Sequence, residues 1–460
     1  MPKTGADQSA DSRVPVLPEL QCAAGVAFES PERISACTDR LLARHAHYCY
    51  EHSRFYRQRF GDAGLKPEDV QHVVDLRRLP FTTKADLAEH ARELLCVPEC
   101  QVVDICQTSG TTGAPVALLQ TERDLQRLAY NEQLCFTAAG LTAEDRVVIA
   151  CALDRCFMAG LAYFEGLRRI GATAIRAGAG SPSVIGEAIL AYKPSAIIGV
   201  PSILLETGRL LQRRGVEPSK LGVGRLICIG EPVRDADLSP SGLGGRLSQV
   251  WAAQVLGTYA STEMATSFAE CAQGSRGGHI HPDLIAVEIV DEAGGPVPPG
   301  EPGEVVATPL QVTAMPLLRL KTGDIAALLT EPCPCGRQTY RIGPVLGRKS
   351  QMLKVRGTTV YPTEIFAALQ SIDGVRSFCL EVYQDYELSD RVRVIVALED
   401  GVRLTAEEIS DRIRGRVRVK PEVVIAAADE IHRRTVVEGR RKPVLVFDYR
   451  AENKEKAGLA

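Results

Sequence analysis

A run of hydroxyl and glycine residues is the first part of this chain that could do chemistry. The segment Thr108–Gly113 reads TSGTTG and comes directly after an apolar run, VVDICQ. Glycines allow positive-φ backbone, and backbone amides together with hydroxyls can surround phosphate oxygens. No Lys-Ser/Thr pair follows the second glycine, so the segment is not a Walker loop. It therefore predicts a phosphate-binding loop of another type, with these contacts: Thr108, Ser109, Gly110, Thr111, Thr112 and Gly113.

A second group of residues has the types that bind zinc. Cys333 and Cys335 flank one proline on a predicted turn, and Cys271 and His279 precede them in the chain. Three thiolates and one imidazole suit a structural zinc, whose four protein ligands leave no open position for substrate. His281 is the alternative to His279 as the fourth ligand. Most of the fourteen cysteines stand singly in apolar stretches, which predicts reduced, buried thiols.

Composition limits the class of protein that can carry these groups. A length of 460 residues predicts two or more domains. An apolar content of 45% with 24% charged residues is typical of a chain with a large buried core. The net charge of −3 gives no reason to expect nucleic acid or a membrane surface as partner. We see neither a secretory signal nor an apolar run of about 18 residues, and we expect a cytoplasmic protein.

The elements around the phosphate loop alternate between strand and helix. Residues 33–59 have helical periodicity, and amphipathic segments separate five later apolar runs: VVIACAL, TAIRAG, SAIIGVP, RLICIG and SQVWAAQVLGTYA. This alternation predicts parallel strands with crossover helices. From about Ile280 the runs IAVEIVD, EVVATPL and MPLLRLKTGDIAALL predict antiparallel strands. After Gly347 the pattern predicts a small α+β domain. We expect a disordered segment 1–20, a large domain 21–347 and a small domain 348–460.

The TSGTTG string resembles the phosphate loop of the adenylate-forming superfamily of acyl-CoA synthetases, adenylation domains and luciferases. Other motifs similar to that family follow in the same order: Glu231-Pro232 at the adenine, Tyr259-Ala260-Ser261-Thr262-Glu263, Thr322-Gly323-Asp324 at the ribose, Gly347-Arg348 at the hinge, Met352–Gly357 in the swivelling loop, and Lys442 before Val446–Arg450. Phe55-Tyr56-Arg57, Gly64–Asp69 and Leu76–Lys84 are similar to the opening of phenylacetate-CoA ligases. The chain is identified as a member of that branch.

The resemblance implies a fold and a reaction. The fold is a large, multi-subdomain N-terminal α/β domain with a β-rich subdomain, plus a small mobile α+β C-terminal lid. The reaction activates a carboxylic acid with ATP to an acyl-adenylate, releases pyrophosphate, and passes the acyl group to CoA. The substrate is an aromatic or arylacetic acid. The lid swivels between the two steps about Ser350 or Gln351, since the family's usual acidic hinge residue is missing here.

The resemblance also implies a role for each matched residue. Glu263 is a hard oxygen ligand suited to Mg²⁺, and Thr262 contacts the α-phosphate. Tyr259 offers a flat face to adenine. Asp324 accepts from the ribose hydroxyls, as acidic residues do at dinucleotide sites. Glu231 and Pro232 flank the adenine, and Arg348 contacts the ribose or a phosphate. Lys442 bridges the carboxylate of the acid and the α-phosphate. Gly357 lines the path of the CoA thiol.

Three further expectations depend on the branch. The acid pocket is lined by Phe157, Phe164, Ile229 and Phe268. Similar cysteines and a histidine occur in some members of the branch. The family-like Gly-x-His pattern favours His279 over His281 as zinc ligand. We expect a homodimer or a monomer.

Two other functions compete with the CoA ligase. In the first, the adenylate is passed to the phosphopantetheine of a carrier protein or to an amine. In the second, the chain is a non-catalytic relative, against which the presence of Glu263, Asp324 and Lys442 argues.

Overall fold

The structure, a computed structural model, describes residues 18–108, 116–274, 276–355, 358–386, 389–437 and 443–450. It begins with a helical layer of four α-helices: α1 Pro31–His52, α2 Arg54–Asp62, α3 Lys84–Glu89 and α4 Ala91–Leu94. The helical pattern over 33–59 is confirmed, but it forms two helices. Ser53 ends α1 in extended backbone, and its side chain accepts a hydrogen bond from the Tyr56 amide at the start of α2.

A β-hairpin brackets the predicted phosphate loop. Strand β1 (Val102–Gln107) pairs antiparallel with β2 (Ala117–Thr121), and helix α5 (Glu122–Ala138) follows at once. Thr121 caps α5 by accepting from the Asp124 amide. Residues 109–115, between the two strands, lie outside the described residues.

A six-stranded sheet forms the centre of the large domain. Its strands run in the order β4-β3-β5-β6-β7-β8, and all neighbours are parallel except β7 and β8. The elements are β3 Arg146–Ala150, α6 Met158–Ile170, β4 Thr173–Arg176, α7 Pro182–Tyr192, β5 Ala196–Gly199, α8 Pro201–Arg213, β6 Arg225–Cys228, α9 Gly242–Trp251, β7 Gln254–Ser261 and β8 Thr266–Ala269. The predicted parallel α/β architecture is confirmed. One strand prediction is wrong: Ser248–Trp251 form the last turn of α9, and β7 begins only at Gln254.

A second sheet is antiparallel, as the sequence predicts. Its order is β10-β11-β12-β13-β9, with β14 also paired to β12. The strands are β9 Gly278–His279, β10 Ile285–Val290, β11 Pro302–Pro309, β12 Leu320–Leu329, β13 Arg341–Ile342 and β14 Gly347–Arg348.

The C-terminal part has its own sheet and its own hydrophobic core. A short hairpin, β15 and β16, precedes a four-stranded sheet of order β19-β18-β17-β20. The elements are β15 Leu353–Val355, β16 Thr358–Val360, α10 Pro362–Gln370, β17 Val375–Tyr386, β18 Ser389–Leu398, α11 Ala406–Val417, β19 Glu422–Ile425, α12 Ala428–Thr435 and β20 Val446–Asp448. One core cluster draws all its residues from position 353 onward. Within the described ranges, none of the helices combines the length and the apolar composition that a membrane crossing requires.

Candidate active site

Two residues far apart in the chain form an ion pair at the turn that carries the predicted Mg²⁺ ligand. Glu263 follows β7, and its Oε1 lies 3.0 Å from Nζ of Lys84. Lys84 is the first residue of α3, which Thr83 caps. Thr82 fixes this segment to the start of β12, because its amide donates to the Arg319 carbonyl (3.0 Å) and its carbonyl accepts from Lys321 (2.9 Å). The Lys84–Glu263 contact was not predicted, since a sequence does not show which lysine a carboxylate meets.

The turn between β7 and β8 holds Glu263 in a defined conformation. The Met264 amide donates to Oγ of Ser261 at 3.2 Å, and the Ala265 amide donates to the Thr262 carbonyl at 3.2 Å. Ala265 has φ +45°, a left-handed conformation that residues other than glycine rarely adopt. Met264 is fully buried beneath the turn. Thr262 and Glu263 therefore project from a short turn with a fixed base.

The predicted adenine and ribose residues contact one another. The Tyr259 hydroxyl donates to Oδ2 of Asp324 at 3.1 Å, and Nε of Arg348 lies 3.3 Å from Oδ1 of Asp324. Asp324 and Arg348 are paired in register across β12 and β14. The Tyr259 ring stacks on Phe268, with centroids 5.8 Å apart and planes 20° apart. Phe268 is fully buried, so it supports the ring from the core side.

Electrostatics link these two groups of residues. Burial raises the pKa of Asp324, while Arg348 and Lys84 lower it and Glu263 raises it. The Lys84–Glu263 pair therefore lies close enough to act on the Asp324 carboxylate. The arrangement places two cations, two carboxylates and an aromatic ring around the carboxyl end of β7. Ligands of open α/β sheets bind in this region, outside the carboxyl ends of the strands.

Glu231 and Thr108 each follow a strand, β6 and β1 respectively. Glu231 follows β6, and its carboxylate accepts from the amide and the hydroxyl of Ser202, at 3.0 and 2.9 Å. Pro232 comes next and precedes a buried Val233. Thr108 pairs with Val116 at the two ends of the predicted phosphate loop: its amide donates to the Val116 carbonyl, and its hydroxyl accepts from the Val116 amide, both at 3.0 Å. Ser109, Gly110, Thr111, Thr112 and Gly113 lie outside the described residues, as do Gly357 and Lys442.

Three of the four predicted acid-pocket residues belong to two hydrophobic clusters. Ile229 is buried, and Phe164 packs partly buried against the same cluster. Phe268 belongs to the cluster beneath Tyr259. Phe157 is the N-cap residue before α6, directly after two residues with positive φ, Arg155 (55°) and Cys156 (54°). Phe164 and Ile229 thus belong to one hydrophobic cluster, and Phe268 belongs to another.

The predicted zinc ligands lie together. The ligand atoms of Cys271, His279, Cys333 and Cys335 all lie within 4.8 Å of one another. Sγ of Cys271 is 3.5 Å from Sγ of Cys333, and Sγ of Cys335 is 3.4 Å from Nε2 of His279. With Zn–S and Zn–N bonds of about 2.3 and 2.0 Å, tetrahedral ligands are about 3.5–3.8 Å apart, so these residues suit zinc.

The histidine of this cluster is held with its Nε2 toward the sulfurs. Nδ1 of His279 lies 3.3 Å from Oγ1 of Thr339, the kind of outer contact that orients a metal-binding imidazole. Burial lowers the pKa of His279 to about 3, so the ring is neutral and has a lone pair to offer. His281 lies elsewhere: its Nε2 is 3.4 Å from Sγ of Cys135. Of the two histidines, His279 is therefore the one beside the three thiols.

Comparison with known proteins identifies the family. A sequence model described as AMP-binding enzyme matches residues 39–314. The chain belongs to the AMP-binding enzyme family. A phenylacetate-coenzyme A ligase from Thermus thermophilus is similar to this AMP-binding enzyme, with 33% identity across 75% of the chain and 77% of the relative. The predicted class, an AMP-forming acid–CoA ligase that uses ATP and CoA, is confirmed.

Two solved structures of a 2-hydroxyisobutyryl-CoA ligase compare differently with this AMP-binding enzyme. The structure in the postadenylation state with R3-HIB-AMP has a TM-score of 0.81, 25% identity and 94% coverage of each chain. The structure with 2-HIB-AMP and CoA in the thioesterification state has a TM-score of 0.66, 26% identity and coverage of 94% of this chain and 93% of that chain. The overall arrangement of this chain is therefore closer to the postadenylation state.

Proposed function

We propose that this AMP-binding enzyme activates an aromatic or arylacetic acid and transfers it to CoA. A carboxylate oxygen of the acid attacks the α-phosphorus of ATP, the bond to the β-phosphate oxygen breaks, and pyrophosphate leaves. The thiol of CoA then attacks the acyl carbon, loses its proton, and displaces AMP. The observation that carries this proposal is the Lys84–Glu263 ion pair beside the Tyr259–Asp324–Arg348 group.

The described side chains suit the first step. Negative charge builds on the phosphates as the acid attacks, so donors and cations must be in place beforehand. Lys84 supplies a positive charge close to them. Asp324 would accept from the ribose hydroxyls, and Arg348 would hold that carboxylate or a phosphate. Glu263 would hold Mg²⁺, which supplies charge neutralisation for ATP.

Residues outside the described ranges complete the proposal. The amides and hydroxyls of 109–113 would surround the β- and γ-phosphates. Lys442 would bridge the acid carboxylate and the α-phosphate. Gly357 would line the path of the CoA thiol, where a side chain would block the approach.

The acid is proposed to be aromatic or arylacetic. Two observations support this: similarity to a phenylacetate-coenzyme A ligase, and the shared hydrophobic cluster of Phe164 and Ile229 near the end of β6. Phe157 stands at the entrance to α6 and would add a second ring. Phe268 would act indirectly, through the ring of Tyr259 that it supports.

A swivelling lid is proposed to separate the two steps. We place the division of the chain at 347/348, with the large domain 21–347 and the lid 348–460, and the hinge at Ser350 or Gln351. Those two residues belong to a single 3₁₀ turn, Lys349–Gln351, directly after β14. The higher TM-score to a postadenylation structure than to a thioesterification structure supports two arrangements of one chain.

The thiol–imidazole cluster is proposed to bind one structural zinc. Cys271, His279, Cys333 and Cys335 come from three places in the chain and would be joined by the metal. Four protein ligands leave no position for substrate, so the zinc would stabilise the fold there rather than react.

Acid-dependent ATP–pyrophosphate exchange across a panel of carboxylic acids tests the proposal. We expect exchange with arylacetic or aromatic acids and, after addition of CoA, release of the acyl-CoA. Absence of exchange with every acid would refute an adenylating function. Exchange followed by transfer only to a carrier-protein phosphopantetheine, or to an amine, would refute CoA as the acceptor.

A further inference from the structure

One buried arginine connects the turn that carries Glu263 to the rest of the large domain. Arg127 lies on α5 and is fully buried. Its Nη1 donates to the Ala265 carbonyl, and its Nη2 donates to Oγ1 of Thr266 at 3.0 Å. Both acceptors follow Glu263: Ala265 lies in the turn, and Thr266 begins β8. The guanidinium therefore binds the chain directly after Glu263.

The same guanidinium also binds two other segments. Its Nε donates to the Leu310 carbonyl at 2.6 Å, at the end of β11. Its Nη2 donates to the Leu284 carbonyl at 2.6 Å, at the start of β10. The planar fork of an arginine can serve several acceptors in fixed directions, whereas a lysine ammonium is a single point of contact. Arg127 thus joins α5, the Glu263 turn and two strands of the second sheet.

Burying this charge is unfavourable, which argues for a specific role. The acceptors of Arg127 are three carbonyl oxygens and one hydroxyl. Burial lowers the pKa of Arg127 to about 10, although Asp124 favours the charged form. An apolar side chain would cost less to bury. The Ala265 carbonyl that Arg127 binds belongs to a residue with left-handed φ, and such a conformation persists only where its surroundings impose it.

We propose that Arg127 is a positioning residue for adenylation: by holding the Ala265 carbonyl and the Thr266 hydroxyl, it fixes the turn so that Glu263 points to the Mg²⁺–ATP site. This inference rests on the proposed role of Glu263. It assigns Arg127 no contact with substrate. Its effect is confined to the step that needs Mg²⁺–ATP, since attack of CoA on a finished adenylate does not use that metal ligand.

The test compares Arg127→Met, Arg127→Lys and Glu263→Gln in the full-length protein. Pyrophosphate exchange is measured against Mg²⁺ concentration, with the acid that supports exchange in the panel. For Arg127→Met we expect the half-saturating Mg²⁺ concentration to rise about ten-fold and the maximal exchange rate to fall about ten-fold. Arg127→Lys should lie between this variant and the parent. Thioester formation from supplied acyl-adenylate and CoA should stay within about two-fold of the parent for both variants.

Arg123→Met is the matched control. Arg123 is a buried arginine one turn earlier on α5, but its Nε donates to the Pro18 carbonyl rather than to the Glu263 turn. We expect its Mg²⁺ dependence to match that of the parent. If Arg127→Met does not fold, Arg127→Lys carries the test, because it keeps the charge.

Three results would overturn the inference. The first is a changed Mg²⁺ dependence of exchange for Glu263→Gln with an unchanged dependence for both Arg127 variants. The second is equal loss in both half-reactions, which would make Arg127 a purely structural residue. The third is an unchanged Mg²⁺ dependence of Glu263→Gln, which would remove the proposed metal role and this inference with it.

Discussion

The Tyr259 hydroxyl donates a 3.1 Å hydrogen bond to the Asp324 carboxylate, which joins the predicted adenine and ribose positions into one unit. Tyr259 lies on β7 of the central sheet and Asp324 on β12 of the second sheet. The bond therefore crosses from one sheet to the other. It fixes the carboxylate on one side, while Arg348 faces it on the other.

The first prediction concerns pH and Asp324. Because burial raises the pKa of Asp324, the carboxylate gains its proton at a higher pH than an ordinary aspartate, whose pKa is about 3.9. The protonated group accepts less well from ribose hydroxyls, so ATP affinity should fall as the pH is lowered through this raised pKa. Isothermal titration of ATP at several pH values measures the effect. Asp324→Asn should bind ATP weakly at every pH.

The same shift predicts the effect of Asp324→Asn on stability. A carboxyl whose folded-state pKa is raised favours folding below its unfolded-state pKa, and this contribution is lost as the pH rises through the folded-state value. At neutral pH the ionised Asp324 therefore weakens the fold. The free energy of unfolding that Asp324→Asn gains relative to the parent should therefore be larger at neutral pH than in acid. Asp62→Asn, at an exposed position, is the control. Unchanged ATP affinity in the Asp324→Asn variant would contradict the ribose assignment.

The second prediction concerns Lys84. Its ammonium is 3.0 Å from Glu263 and remains about one-third exposed, with 35% of its side-chain surface accessible. Removing the charge with Lys84→Met should lower the rate of pyrophosphate exchange by about ten- to a hundred-fold, because a cation near the phosphates is lost. Lys66→Met, at an exposed lysine of the same N-terminal region, should keep the parent rate. Equal rates for the two variants would exclude Lys84 from the site.

The order of motifs along the sequence named the candidate residues of the site, but it could not predict which distant segments contact one another. The five apolar runs gave the parallel sheet, since buried parallel strands are continuously apolar. The prediction that Ser248–Trp251 belong to a strand was wrong, because a buried helix end and a buried strand have the same composition. Lys84 and Arg127 were missed as partners of the Glu263 turn. Only tertiary packing brings α3 and α5 to that turn.

The cluster of three thiols and one imidazole was easier to predict for a physical reason. Cys333 and Cys335 stand close together in the chain, so a short turn alone places both thiols on one side. The choice between His279 and His281 depended on β9, which pairs His279 with Arg341 of β13 and so carries it toward the Cys333 turn. Spacing could not decide that register.

The third prediction concerns the metal. Protein that has never met a chelator should contain about one zinc per chain. Replacing Cys333 and Cys335 together with serine should remove the metal and lower the melting temperature, because metal binding contributes to folding free energy. Cys379→Ser, at a buried thiol of the C-terminal core, should keep the metal. Metal analysis and thermal unfolding measure both effects. A metal-free parent would end the zinc proposal.

The contact between α9 and the end of α10, which lie on either side of the proposed division at 347/348, offers a further test. Gly242 begins α9, and a Cβ there would lie 2.8 Å from the Ser371 amide nitrogen and 2.9 Å from the Gln370 carbonyl. Nearby, Arg416 of α11 pairs with Asp235, and Arg209 of α8 lies 3.3 Å from Glu399. Exposed ion pairs contribute little, about 0–1 kcal/mol each. The glycine is therefore the stronger determinant of this arrangement, since two backbones meet there.

The fourth prediction is that Gly242→Ala will slow adenylation selectively. Overpacking of this kind costs about 1–3 kcal/mol, and it arises only where α9 meets the end of α10. If adenylation uses an arrangement close to the present one, pyrophosphate exchange should fall about ten-fold or more. Thioester formation from supplied adenylate should be spared, because the proposed swivel would carry the lid away from α9. Gly245→Ala is the matched control, since a Cβ there meets nothing within 4 Å. Unchanged exchange in Gly242→Ala, or an equal loss in both half-reactions, would show that this contact does not distinguish the two steps.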